Sequence, residues 1–539
     1  MGSKSLEVGT PPYTTPAPAK FISGTQLGRG SYDFKLTNMR DTTNWVLFAG
    51  SLTSAAGFEV VAMSPVVRFL DADTPTQLRL ARTSSVDEMR VSWTTSPAAA
   101  AAGGMAVQWG SSAAALNRSR VAATSSTYTA SDLCGGQANS SGFHHPGVFQ
   151  TAVLPLGGDP VAERRAGKQI YYKVGSDAFG WSSVRSFRAP KPVNPHASLS
   201  IIVTADMGET FEDGSQYHWE EPAAVNTTVH MAALVKAEHG VDVILHPGDL
   251  AYSTGYESEW DRFMTQIEPL SSAAPYMTGQ GNHERDWMDS GSSIGGGDSG
   301  GECGVPTQSR FPNPVCAQPN TAPCLGSPAS ASPPPLELAR SAEGRSLGPV
   351  GSANDGWYSF EQGPVHFTMV NTEMSSLNGT RQHSFLAADL AAVDRSKTPW
   401  VLVLGHRQMY SGNMMGPGND MGDIEPLLLQ HKVDIALWGH IHFAQASCPM
   451  YRAICANTSD AAGYDAPIHA VIGNAGQSLT ALPATKAPWS IWNDAHYGFS
   501  HIAVSNATHL RMDFYRDAPL DETAGVYHSF EINRAFPRV

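Results

Sequence analysis

The chain has 539 residues, 49 of them acidic against 35 basic, for a formal net charge of −14. That surplus argues against a nucleic-acid or anionic-membrane surface, because both need clustered Lys and Arg. The length exceeds one typical core and predicts two or three domains, while no run of about eighteen apolar residues offers a membrane span.

Residues 1–20 are rich in Pro, Thr and Ala without periodicity and read as a disordered lead-in. They hold no basic stretch followed by an apolar run, so no signal peptide is legible, and Leu6 stands where a myristoylation signal needs Ser or Thr. Residues 21–74 carry short β-like pieces, YDFKLTN, NWVLFAG and FEVVAMSPVVRF. From 75 to 192, QLRLAR, EMRVSWTTS, GMAVQWG, GVFQTAVL, IYYKVGS and SSVRSFRAP are separated by Gly, Ser and Pro, which predicts a β-sandwich. Trp93 reads as a core aromatic of that unit. The prolines of Pro190–Pro195 then mark a stiff boundary.

Between residues 198 and 539, apolar strands alternate with amphipathic helices, the pattern of α/β layering. Trp260, Phe263, Met264 and Ile267 form one helical stripe within Ser258–Pro269, with Ser258 placed to cap it. Further helices are predicted at Ala223–His239, stopped by Gly240, at Phe385–Val393 and at Ile424–His431. A Gly/Ser/Pro-rich insertion occupies about residues 290–350. Its first half, beside residues 282–284, is a candidate rim for a site, and its Pro/Ser half reads as a loose loop.

The chemistry concentrates where apolar strands break. Leu245–Tyr252, LHPGDLAY, follows the run VDVIL and ends in Asp249 and Tyr252; alone it is ordinary loop chemistry. The same pattern recurs in IIVTAD ending at Asp206, YMTGQGNHE with Asn282 and His283, WVLVLGH ending at His406, and IALWGHIH with His440 and His442. No structural need puts a polar ligand after every strand, whereas two adjacent metal ions need about seven side chains from several directions.

In that order Asp-x-Gly, Gly-Asp-x-x-Tyr, Gly-Asn-His-Glu, Val-x-x-His and Gly-His-x-His resemble the five blocks of the purple acid phosphatases. Tyr252 points to that branch among dinuclear metallophosphoesterases, and DGWYSFEQGPVHFTMVNTE resembles the larger plant-type members. The resemblance implies a metallophosphoesterase β-sandwich flanked by helices, preceded by all-β modules that include a fibronectin-III-like domain. It implies that Asp206, Asp249, Tyr252 and His442 hold Fe(III), and that Asp249, Asn282, His406 and His440 hold zinc, manganese or iron. The residue chemistry agrees: Asp249 is the carboxylate best placed to bridge, Asp206 and Tyr252 offer hard anionic oxygens, and neutral Asn282 suits a divalent ion. His283 is left without a metal and is the candidate to contact phosphate and protonate the leaving oxygen.

The implied activity is hydrolysis of small phosphate monoesters at acid pH by a metal-bound hydroxide. Diester or nucleotide pyrophosphate hydrolysis on the same centre is an alternative, and a catalytically weak secreted phosphate-binding protein is a second. Two departures from the family bear on substrate. Phe443-Ala444-Gln445-Ala446 replaces the Asn-Tyr-Glu-Arg of many plant members, and Met415 and Gly416 fall where the better-known plant enzymes carry further histidines. Cys448 and Cys455 are spaced to staple a hairpin, Cys303, Cys316 and Cys324 share one loop, and Cys134 lies apart. Sequons at Asn117, Asn139, Asn226, Asn378, Asn457 and Asn506 fit a secreted or vacuolar glycoprotein. The sequence leaves the oligomeric state open, a homodimer included.

Overall fold

A computed structural model of the chain describes residues 33–50, 58–156, 167–213, 221–237, 240–314, 356–412, 419–456, 466–520 and 522–534. The predicted lead-in, the Pro/Ser half of the insertion, Cys316, Cys324, Met415 and Gly416 lie outside these residues.

Two mixed sheets face each other at the centre. The strands are β1 (Leu199–Val203), β2 (Val243–Pro247), β3 (Tyr276–Gly279), β4 (Tyr358–Gln362), β5 (Val365–Met369), β6 (Trp400–Gly405) and β7 (Ile435–Trp438). There follow β8 (Ala444–Tyr451), β9 (Ile454–Cys455), β10 (Ile468–Ile472), β11 (Ser490–Asp494), β12 (Gly498–Val504), β13 (His509–Arg516) and β14 (Gly525–Asn533). The first sheet runs β3-β2-β1-β12-β13-β14, the second β4-β5-β6-β7-β10-β8-β9 with β11 beside β8. Within them β1 to β3 are mutually parallel, as are β5, β6, β7 and β10.

Every residue of β2, β3, β5, β6, β7 and β10 is buried, because both faces of each strand are covered. Ile201, Val203, Leu245 and Met277 meet Phe367, Leu402, Leu404 and Leu437 in the core between the sheets. Their neighbours Ile202, Ile244 and Tyr276 turn outward onto Met231, Trp260, Phe263 and Ile267. On the far side Val401, Val403 and Trp438 pack on Leu386, Leu390 and Leu428. The result is a helix–sheet–sheet–helix sandwich, and truncating Leu402 to Ala at its centre would cost about 2–5 kcal/mol.

The outer helices are α1 (Ala224–Lys236), α2 (Glu257–Ser271), α5 (Arg381–Ala392) and α6 (Glu425–Gln430), with two short ones between, α3 (Asn282–Arg285) and α4 (Val305–Arg310). The α2 stripe is buried as its periodicity predicts, but Ser258 is not its cap. The helix starts one residue earlier, Tyr256 stands at the N-cap position without a side-chain capping hydrogen bond, and Ser258 is buried inside the first turn. A tertiary contact sets that start: the Glu257 carboxylate accepts from the Tyr128 hydroxyl at 2.6 Å and pairs with Arg310. Helix α5 likewise begins before Phe385, with Thr380 Oγ1 accepting from the His383 amide at 3.3 Å.

Ahead of the α/β unit, a four-stranded and a five-stranded sheet pack face to face around Trp93, Val107, Leu154 and Tyr172. The six runs expected there all form strands. The predicted strand YDFKLTN does not: Asp33–Asn38 is irregular, and only short two-stranded ribbons follow it. The sandwich is tied to the α/β unit by a disulfide between Cys134 and Cys303 and by Tyr172 Oη donating to Ser272 O at 2.7 Å, and the segment before it by Arg40 against Asp261. Among the described residues a further disulfide joins Cys448 and Cys455, as the spacing predicts. No helix among the described residues is long and apolar enough to cross a membrane.

Candidate metal centre

Parallel strands deliver their carboxyl ends to one edge, and here two sheets do so side by side. Asp206, Asp249, Asn282, His406 and His440 each follow the end of β1, β2, β3, β6 or β7 by three residues or fewer. Four of the predicted site residues hold left-handed backbone although none is glycine: Asp206 at φ 60°, Asp249 at 50°, Tyr252 at 51° and His440 at 70°. Such strain persists only where the surroundings over-determine it, and it clusters at functional sites. The glycines beside them allow close approach. A Cβ on Gly281 would lie 2.2 Å from Asp249 Oδ1, and one on Gly439 2.5 Å from Asp206 Oδ2.

All eight predicted residues come together. On one side Tyr252 Oη donates to Asp206 Oδ1 at 3.1 Å and sits 3.1 Å from His442 Nε2, which is 3.4 Å from the same Asp206 oxygen. On the other, Asn282 Oδ1 lies 3.0 Å from His406 Nε2 and 2.9 Å from His440 Nδ1, and those two ring nitrogens are 3.3 Å apart. Asp249 stands between, with Oδ1 3.3 Å from His406 Nε2. Two triads therefore share Asp249: Asp249, His406 and His440, and Asp206, Asp249 and His442, each with its ligand atoms within 4.8 Å of one another. His440 and His442, two apart in sequence, converge because the left-handed turn at His440 reorients the chain. His283 sits at the rim. Its ring lies 4.3 Å from that of Tyr252, centroid to centroid, its Nε2 is 4.0 Å from Asp249 Oδ2, and its buried Nδ1 has no hydrogen-bond partner among the described residues.

Electrostatics show what the centre lacks on its own. Burial would raise the Asp249 carboxyl, yet His406 and His283 hold it well below the usual range. Burial, then Asp206 and Asp249, push the Tyr252 phenol well above its ordinary value, so a phenolate there needs a cation beside it. Burial lowers the His440 imidazole to about 2, helped by His406 and Arg407. Crowded lone pairs, two buried carboxylates and a phenol that ionises only against positive charge fit a cation pair.

Several supporting residues escaped the sequence reading. Glu284, the last residue of Gly-Asn-His-Glu, accepts from the amides of Asp249, Leu250 and Gly281 at 2.7–2.8 Å, clamping the second and third blocks together. Asp298, in the first half of the insertion, accepts from Asn282 Nδ2 at 3.0 Å, which turns the amide oxygen toward the two imidazoles. Ser478 O holds His442 Nδ1 at 2.8 Å. Arg407 joins Glu373, Asp286 and His440. Glu373 ends the NTE tripeptide after β5, another strand-end acid, and that position was the available signal.

Comparison with known proteins follows the same lines. Residues 199–444 match the calcineurin-like phosphoesterase family, and residues 466–527 match the iron/zinc purple acid phosphatase-like protein C family. A relative in Arabidopsis thaliana, named probable inactive purple acid phosphatase 27, is 30% identical over 97% of this chain and 80% of its own length. A nucleotide pyrophosphatase/phosphodiesterase of Hordeum vulgare is 31% identical over 66% of this chain and 89% of its own. The solved structure of a purple acid phosphatase from yellow lupin (Lupinus luteus) seeds superposes with a TM-score of 0.77 at 30% identity, covering 93% of this chain and 81% of that one. With its fold, its phosphoesterase unit and its C-terminal unit matched, the chain belongs to the purple acid phosphatase family.

Proposed function

We propose that the chain hydrolyses phosphate monoesters at acid pH at a dinuclear centre of Fe(III) and a divalent ion, zinc, manganese or iron. The observation that supports this most is the convergence of seven ligand residues in two sets sharing Asp249. Asp206, Asp249, Tyr252 and His442 would hold the trivalent ion; Asp249, Asn282, His406 and His440 would hold the divalent one. Bound there, the ions supply an activated nucleophile and neutralise charge on the phosphoryl oxygens. The chain's own part is to place the ester and move a proton. His283, packed on the Tyr252 ring, gives a proton from its imidazole to the leaving oxygen. Tyr252 and Asp249 keep that ring over the centre.

A second reading, hydrolysis of diesters or nucleotide pyrophosphates, draws on the name of the Hordeum vulgare relative and on Phe443–Ala446, which departs from the Asn-Tyr-Glu-Arg of many plant members. The names of several Arabidopsis relatives call them probably inactive. Against inactivity here stands the convergence of all seven candidate ligands. Turnover of p-nitrophenyl phosphate and of its bis-ester between pH 4 and 8, with and without a chelator, separates the readings. The monoester should be preferred below neutrality and lose its turnover with chelation. Preference for the bis-ester favours the second reading, and no turnover of either by metal-loaded protein rejects both.

Two disulfides support an oxidising compartment, outside the cell or in the vacuole. Exposed sequon residues Asn139, Asn378 and Asn506 support glycosylation there.

A further inference from the structure

Arg407 follows His406 directly and has a more elaborate anchorage than a structural arginine at a strand end requires. Its Nε donates to Glu373 at 2.7 Å and one terminal nitrogen to Asp286 at 2.8 Å, while the other lies 3.1 Å from His440 Nε2. Its amide donates to Thr372 Oγ1 at 2.8 Å. Both carboxylate side chains are fully buried, whereas the Arg407 side chain remains 11% exposed. The guanidinium is thus fixed in one pose at the lip of the centre, on the side of Asn282, His406 and His440.

A guanidinium has five N–H donors. Two are given to Glu373 and Asp286, which leaves at least one on each terminal nitrogen without a carboxylate acceptor among the described residues. A rigid guanidinium with free donors on both terminal nitrogens suits an anion that offers several oxygens, as a phosphoryl group does. Arg285, the other arginine near the third block, is turned away onto Cys303 O and Ser290 O. Acidic groups surround Arg407, with Glu373 and Asp286 against it and Asp298 beyond, so an incoming anion meets a local negative field that this cation and the bound ions would offset.

We propose that Arg407 is a substrate-binding residue, donating to an anionic oxygen of the phosphoryl group on the His440 side of the centre, with Glu373 and Asp286 as the positioning residues that hold it there. This rests on the dinuclear reading above. It goes beyond the ligand blocks and His283, none of which supplies a fixed cationic side chain.

The test is equilibrium binding of inorganic phosphate to metal-loaded protein, with metal content measured on the same samples. Arg407→Met should weaken phosphate binding by about 10- to 100-fold, the range of a lost charge-assisted hydrogen bond, at unchanged metal content. Arg407→Lys, which keeps the charge but cannot reach Glu373, Asp286 and the ligand together, should lose several-fold; it also serves if the methionine variant does not fold. Glu373→Gln frees the guanidinium and should weaken phosphate less than Arg407→Met. Phosphate affinity within twofold of the parent in the Met or Lys variant, at equal metal content, overturns the proposal. So does a loss that merely tracks metal loss, since Arg407 would then only brace His440. Metal-loaded parent protein that binds no phosphate would overturn the dinuclear reading as well, which keeps the two failures apart.

Discussion

The two halves of the centre are built from similar strand ends and yet are opposite in character. Asp206, Tyr252 and His442 bring anionic oxygens and one imidazole, and the second ring nitrogen of His442 is pinned by a carbonyl. Asn282, His406 and His440 bring a neutral amide and two imidazoles, with the Arg407 cation against one of them. Hard anionic donors favour a trivalent ion, and neutral nitrogen and amide donors favour a divalent one. On the proposed dinuclear reading the asymmetry would assign charge to position, and Asp249 is what both halves share.

Removing the shared residue should have the largest effect. Asp249→Ala leaves two cations without a common anion, and its metal loss should exceed the roughly 10- to 100-fold in affinity that changes outside the ligand shell cost. Atomic absorption and turnover check it; both ions retained at full rate would dismantle the comparison. His283→Ala, which touches neither half as a ligand, should keep both ions and lose about 10²- to 10⁴-fold in rate on alkyl phosphates, less on aryl phosphates with good leaving groups. Equal losses on both ester types would demote His283 to positioning. Asn282→Ala should sharpen the contrast by weakening only the divalent ion, read as a fall in that metal with iron and colour retained.

The smallest effect is one of pH in metal-free protein. Burial alone would lower the His406 imidazole, but Asp249 beside it, then Asp206 and Glu373, raise it to about 10. A pKa raised above its unfolded value of about 6.5 contributes stability that is fully present below that pH and lost as pH rises through about 10. Chelated protein should therefore lose thermal stability between pH 6.5 and 10, and His406→Asn should flatten that slope. An unchanged slope in the variant would remove His406 as its source.

What was legible in the sequence was whatever is local. Strands β1, β2, β3, β6 and β7 show as apolar runs, and their ligands lie within a few residues of the break, so Asp206, Asp249, Asn282, His406 and His440 could be placed without coordinates. The six strands of the sandwich carry their own turn residues and were legible for the same reason. What depends on contacts distant in sequence was not. The Cys134–Cys303 disulfide spans 169 residues, and the Arg407–Asp286 pair spans 121. Ser258 looked like a cap because Ser precedes an apolar stripe, but Glu257, drawn to Arg310 and Tyr128, starts the helix earlier. Asp33–Asn38 alternates like a strand yet joins no sheet among the described residues.

The central claim is that the two halves hold different ions, with Tyr252 on the trivalent one. Metal content and the visible spectrum of the purified parent protein, set beside Tyr252→Phe, test it most directly. The account predicts one iron and one further divalent or iron equivalent per chain, with a visible phenolate-to-iron absorption that disappears in Tyr252→Phe while the fold is kept. Protein without stoichiometric iron, or colour that survives the loss of the Tyr252 hydroxyl, would contradict it.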